Sequence, residues 1–137
     1  MVIIDTSVLI DYFADRPTPH VHWLNQQVLS QRLGITSLIQ MEVLQGIRGD
    51  RLFTETQAAL DAFMVFEIGS SETAIASAEN FRVLRKRGIT IRSSIDCFIA
   101  TFCMQHQHAL LHNDRDFDAF EKHLGLRVVH PPDAPLH

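Results

Sequence analysis

The apolar positions of this chain fall into two rhythms, short unbroken runs and stripes that recur every three to four residues. Val2–Ile4 is a β-branched run ending at Asp5 and predicts a buried strand. Thr6–Ala14 predicts a short helix, stopped by Asp15-Arg16-Pro17. His20–Ser30 carries Val21, Leu24 and Val28 on one helical face, and Leu33–Ile35 predicts the second strand. Ser37 with Gln40 fits a capping box, opening a helix whose stripe is Leu38, Met41, Leu44 and Ile47 and which Gly49 ends. Arg51–Phe63 is helical, and Met64–Ile68 is a third apolar run. Ser71–Arg87 predicts a longer helix with Ala74, Ala78, Phe81 and Leu84 inward, closed by Gly88. Ser93-Ser94 starts another, with Ile95, Phe98, Ile99, Phe102 and Cys103 as its apolar stripe. Ala109–Leu111 is a fourth strand, Asp116–Leu124 a last helix and Arg127–Val129 a fifth strand.

Short apolar strands alternating with helices predict an α/β domain with a mainly parallel sheet over residues 1–130. Residues 131–137, with three prolines, read as a short loose tail. In such sheets ligands bind beyond the carboxyl ends of the strands. What each strand presents there is therefore the functional question.

Composition narrows the answer. At 137 residues, with 46% hydrophobic and 20% charged positions, the chain can bury a core without a disulfide or metal staple. Its net charge of −4, from 12 Lys and Arg against 16 Asp and Glu, excludes a uniformly basic nucleic-acid binder. No apolar run approaches the ~18 residues of a spanning helix, so no membrane partner is expected. The opening Met1-Val2-Ile3-Ile4-Asp5 has no basic start, and cytoplasmic residence is the expectation. Cys97 and Cys103 stand six apart on one predicted helix and point away from each other, which argues against a disulfide. The eight histidines form no convincing zinc pattern.

The acids are better placed. Asp5 ends strand one, and Glu42 lies on the helix after strand two. Asp96 opens the helix before strand four, and Asp114 and Asp116 come after that strand. Four elements can thus deliver carboxylates to one sheet edge. Such a cluster repels itself unless a cation joins it, and oxygen-only ligands suit Mg²⁺ or Mn²⁺. A metal there would orient a phosphodiester and activate water. Each acid also has a plainer use. Asp5, Asp96 and Asp114 can cap helices, Glu42 can be solvated, and Asp116 can favour a helix dipole. Asp118 is expected to be exposed. The coincidence across four elements carries the functional reading.

These residues resemble a known family. Ile4-Asp5-Thr6-Ser7, Thr36-Ser37-Leu38-Ile39-Gln40-Met41-Glu42-Val43, Ile95-Asp96-Cys97-Phe98-Ile99-Ala100 and Leu110-Leu111-His112-Asn113-Asp114-Arg115-Asp116-Phe117 look like the four acidic blocks of PIN-domain nucleases. Their order and spacing over residues 2–129 are similar to the VapC-like toxins of bacterial toxin–antitoxin pairs. The resemblance implies a three-layer α/β/α domain with a five-stranded sheet in the order 3-2-1-4-5. It implies Asp5, Asp96 and Asp114 as metal ligands, with Glu42 and Asp116 completing the catalytic cluster. Thr6 and Asn113 would give polar support. The implied activity is Mg²⁺-dependent endonucleolytic cleavage of RNA, with Mn²⁺ able to substitute. A homodimer and a cognate antitoxin are the implied partners.

Ten of the 12 basic residues are Arg, the side chain suited to bidentate phosphate contacts. Arg87 and Arg92, close before Asp96, and Arg115 inside the acidic block are candidate RNA contacts. Arg82 and Arg85 fit the solvated end of a helix better. Trp23, beside Val21 and Leu24, reads as a core or dimer contact. Other classes fare worse. Phosphotransferases with an aspartyl nucleophile carry Asp-x-Asp after strand one, and here the second position is Ser7. A purely RNA- or partner-binding module has no reason to crowd carboxylates where phosphates approach. A nuclease for structured DNA would need clamping segments for which the chain has no room.

Overall fold

The computed structural model describes residues 1–133. The chain runs β1 (Val2–Ile4), α1 (Thr6–Phe13), α2 (Pro19–Gln27), β2 (Gly34–Thr36), α3 (Ser37–Gln45), α4 (Asp50–Ala59), β3 (Met64–Phe66), α5 (Ser71–Lys86), α6 (Ser94–Gln105), β4 (Ala109–Leu111) and α7 (Asp118–Leu124). Short 3-10 turns, Leu60–Ala62 and Arg115–Phe117, finish α4 and lead into α7. The strands form one parallel sheet in the order β3-β2-β1-β4, with Ile3 opposite both Gly34 and Leu110. Ile3, Ile4, Ile35, Leu110 and Leu111 are fully buried, as strands covered on both faces require.

The expected fifth strand is reduced to one parallel bridge, Leu110 to Val128, on the outer side of β4. The Arg127 carbonyl accepts from Leu110 N at 2.8 Å, and Val129 N donates to the Leu110 carbonyl at 3.0 Å. The 3-2-1-4-5 arrangement therefore holds in position but not in length. Pro131 and Pro132 come soon after and have no N–H with which to extend the ladder. Of the tail expected over 131–137, residues 134–137 lie outside the described residues.

Two helices present a different face from the one their apolar periodicity predicts. In α3 the cap is Thr36, whose hydroxyl accepts from Ile39 N at 3.2 Å, rather than Ser37. Ile39 and Val43 are the buried pair, and Met41 is exposed. In α5 the buried residues are Thr73, Ser77 and Leu84, while Ala74 and Ala78 are exposed. The reason is a polar seam between α5 and α6. Thr73 Oγ1 donates to Gln105 Oε1 at 2.8 Å, Asn80 Nδ2 to Thr101 Oγ1 at 3.0 Å, and Ser77 Oγ to Cys97 Sγ at 3.3 Å. Small polar side chains let the two helices approach closely, and a search for apolar stripes passes over them. Cys97 and Cys103 are both buried and free, as expected from their spacing.

Gly34 marks the tightest point of the sheet. A Cβ there would stand 2.8 Å from Phe66 Cε2 and 2.9 Å from Ile3 Cδ1. The Phe66 ring is itself held by Phe102 and His108. Gly34→Ala is therefore expected to cost about 1–3 kcal/mol by overpacking. A fall of several degrees in Tm checks this, and an unchanged Tm would show that the rings yield freely.

Candidate metal centre

Each candidate acid is placed by a local bond that its neighbours in sequence dictate. The Asp5 backbone N donates to the Leu111 carbonyl at 2.9 Å, so the end of β1 is tied to the end of β4. Asp5 Oδ2 accepts from Ser7 N at 3.0 Å and from Ser7 Oγ at 2.7 Å. It therefore caps α1 while sitting at the sheet edge; the two uses are compatible. Ser7 Oγ in turn accepts from Asn113 N at 3.0 Å, which pins the turn after β4. Asn113 thus contributes its backbone, and its side chain is exposed. Thr6 Oγ1 donates to Glu42 Oε1 at 2.9 Å, orienting the α3 acid from α1.

Asp96 lies in the first turn of α6, where its backbone N donates to the Ser93 cap at 3.2 Å. Asp114 Oδ1 accepts from Asp116 N at 2.9 Å and so starts the 3-10 turn. Carboxylate oxygens of Asp96, Asp114 and Asp116 all come within 4.8 Å of one another. Asp114 and Asp116 are thus both in the cluster. Asp118 is exposed, as expected.

The electrostatics show how crowded the edge is. Burial raises Asp5 from 3.8 to about 6 against the Ser7 bonds that lower it, and Glu42 adds to the rise. Asp96 is raised to about 7, first by burial and then by the charges of Asp5, Asp114, Glu42 and Asp116. All five acids are therefore within electrostatic reach of one point. Among the described residues the ion pairs are Arg16–Asp11, Arg51–Glu55 and His130–Glu121, so no base neutralises the cluster. Oxygen donors alone, three of them convergent and none compensated, fit a hard divalent cation.

The candidate RNA contacts are less uniform. Arg92 and Arg115 are exposed on the segments that lead into Asp96 and Asp116. Arg87 turns the other way, its guanidinium on His123 Nδ1 at 3.1 Å at the end of α7. Arg85 lies over the Phe81 ring, its Cζ 5.7 Å from the centroid. Trp23 is half-buried against the core, which fits its core reading. Sequence reasoning missed Ser7, which joins Asp5 to the β4 turn; its signal was the Asx-turn spacing in Asp-Thr-Ser. It also missed His112, buried behind the cluster with Nδ1 accepting from Asp114 N at 3.1 Å.

A fold and a site of this kind define an α/β domain with an acidic centre at the carboxyl edge of its sheet. The profile of the PIN domain matches residues 2–123, and the chain belongs to that family. It is 29% identical over 133 residues to VapC ribonuclease Mb1587 of Mycobacterium bovis and to ribonuclease VapC11 of Mycobacterium tuberculosis. In both cases the match covers 94% of this chain and 98% of the relative. Among solved structures it is similar to FitAcB from Neisseria gonorrhoeae, with a TM-score of 0.76, 20% identity and coverage of 96% and 98%. VapBC2 from Rickettsia felis, bound to a DNA fragment from its promoter, also gives 0.76, at 16% identity and coverage of 94% and 98%. At these identities the likeness to the solved structures shows the fold.

The raised carboxyls have measurable consequences. Between pH 4 and 6 the native state keeps an Asp5 proton that the unfolded chain has released, so metal-free stability falls as pH rises through that window. Asp5→Asn removes this penalty. In EDTA at pH 7.5 the variant is expected to gain up to roughly 3 kcal/mol. Melts of both proteins from pH 4 to 8 check this, and parallel curves would disprove it. Ser7→Ala deletes a donor to buried Asp5 and leaves Asn113 N without its partner. It should cost about 1–3 kcal/mol and weaken the Tm gain on adding Mg²⁺; an unaltered Mg²⁺ response would remove Ser7 from the site.

Proposed function

We propose that this PIN-domain protein is a Mg²⁺-dependent endoribonuclease that serves as the toxin of a cytoplasmic toxin–antitoxin pair. The observation that carries the reading is Asp96, raised to about 7 by burial and by four other acids that no base offsets. Uncompensated charge of that density is costly in a structure without a use for a cation. The relatives named as ribonucleases match almost end to end, which supports RNA as the substrate.

The chain's own residues divide the work. Asp5, Asp96 and Asp114 are the proposed ligands, and Asp116 closes the cluster beside Asp114. Glu42 is held at Oε1 by the Thr6 hydroxyl, which leaves Oε2 to complete the ligand set. When bound, the divalent ion supplies a Lewis acid that offsets phosphate charge and eases the ionisation of water for in-line attack. Arg92 and Arg115 are the cations best placed to hold the RNA backbone, with Arg87 behind them.

Protein partners have a surface to use. Ile10, Met41, Leu52 and Phe53 expose apolar side chains on α1, α3 and α4. Apolar surface of this kind suits an antitoxin and a second copy of the chain. No helix among the described residues is long and apolar enough to cross a membrane.

Purified protein, freed of any partner, should cleave RNA with Mg²⁺ or Mn²⁺ and stop on addition of EDTA. Asp96→Asn should keep its circular dichroism and lose more than the 10–100-fold typical of an outer-shell change. It should also lose the Mg²⁺-induced rise in Tm shown by the wild type. Wild-type cleavage by Asp96→Asn would overturn the assignment.

A further inference from the structure

Beside the acid cluster, and sharing Asp114 with it, lies a cavity of about 250 Å³. Its wall is formed by His20 of α2, His112 and Arg115 from the turn after β4, Asp118 of α7, and Val128 of the bridge segment. The volume is below the ~300–1,000 Å³ of pockets for drug-sized molecules, so it suits one small ring system.

Two polar atoms on this wall have no use in the fold. His112 is 7% exposed, and its Nδ1 accepts the Asp114 backbone N–H at 3.1 Å. The neutral ring therefore carries its proton on Nε2. That Nε2–H is buried without a partner among the described residues, and so is His20 Nδ1. Native structures leave few such atoms, and two on one small cavity mark a place where a ligand supplies the missing partners.

The chemistry of the wall selects the ligand. Asp114 and Asp118 disfavour a phosphate. The cavity histidines also form no convergent ligand set; the one group of three among the described residues is Asp96, Asp114 and Asp116. A nucleobase fits both limits. Its edge offers acceptors to His112 and N–H donors to Asp118, and its flat face can lie against the Arg115 guanidinium and Val128. Single-stranded RNA is read in this way, by unstacked bases held on their edges and stacked on Arg or His.

We propose that this cavity is a nucleobase subsite, which holds the base of an unpaired RNA nucleotide beside the phosphate served by the acid cluster. It rests on the RNA-cleaving reading above, and it gives that reading a source of base preference. His112 Nε2–H is the fixed donor, set in place because its other nitrogen is tied to the backbone of a cluster acid.

The test is a titration of the full chain, in EDTA, with the four ribonucleoside 5′-monophosphates, followed through histidine side-chain resonances. At least one nucleotide should shift His20 and His112, while inorganic phosphate should not. His112→Phe should weaken that binding roughly five- to tenfold, the loss of one hydrogen bond. If His112→Phe does not fold, His20→Ala serves in its place. In parallel, the bases flanking RNA cut sites are sequenced for wild type and His20→Ala, and the preference should flatten in the variant. Absence of a shift with all four nucleotides, equal shifts with phosphate, or an unchanged base preference would overturn the subsite. Nucleotide shifts without RNA cleavage would count against the nuclease reading and leave the subsite standing.

Discussion

Repulsion among five carboxylates at one edge of a shallow parallel sheet is the constraint on which the rest of this structure depends. The strands are only three residues deep, so the segments leaving β1, β2 and β4 all start from a common edge. Each of those segments carries acid, and α6 adds Asp96 from the side. The cost is visible in the raised carboxyls of Asp5 and Asp96. Sites that strain a fold in this way are commonly where it works.

Short hydrogen bonds hold the strained edge in register. Ser7 joins the cap of α1, the carboxylate of Asp5 and the turn after β4 through one hydroxyl. Thr6, its neighbour, reaches 36 positions along the chain to Glu42. Two adjacent hydroxyl residues thus couple three of the segments that supply acids. Behind them Ile3, Ile4, Leu110 and Leu111 give the sheet a dry backing, so that the strand ends cannot drift. The same low-polarity backing raises the charge penalty that a bound cation would relieve.

Much of this architecture was legible in the chain. The strands, the helix order and the parallel sheet come from runs and stripes of apolar residues, and the acids stand where each run ends. Helix faces were less legible. The periodicity of Leu38, Met41 and Leu44 points to one side of α3, but tertiary packing buries Ile39 and Val43. In α5, Ala74 and Ala78 gave way to Thr73 and Ser77, because hydrogen bonding to α6 outweighs the modest hydrophobic value of alanine. The fifth strand failed for a local reason, the prolines just beyond it.

Arg87 and Asn113 illustrate the limit of neighbourhood in sequence. Both stand near cluster acids along the chain, yet one turns to His123 and the other offers only its backbone. The sequence by itself determined the acidic edge of this protein, because strand termini and the residues after them are local features. Only the tertiary structure decided which side chains converge on that edge, that Ser7 joins its two ends, and that His20 and His112 face one cavity. Those depend on distances between elements, which are set by packing and cannot be counted off along the chain.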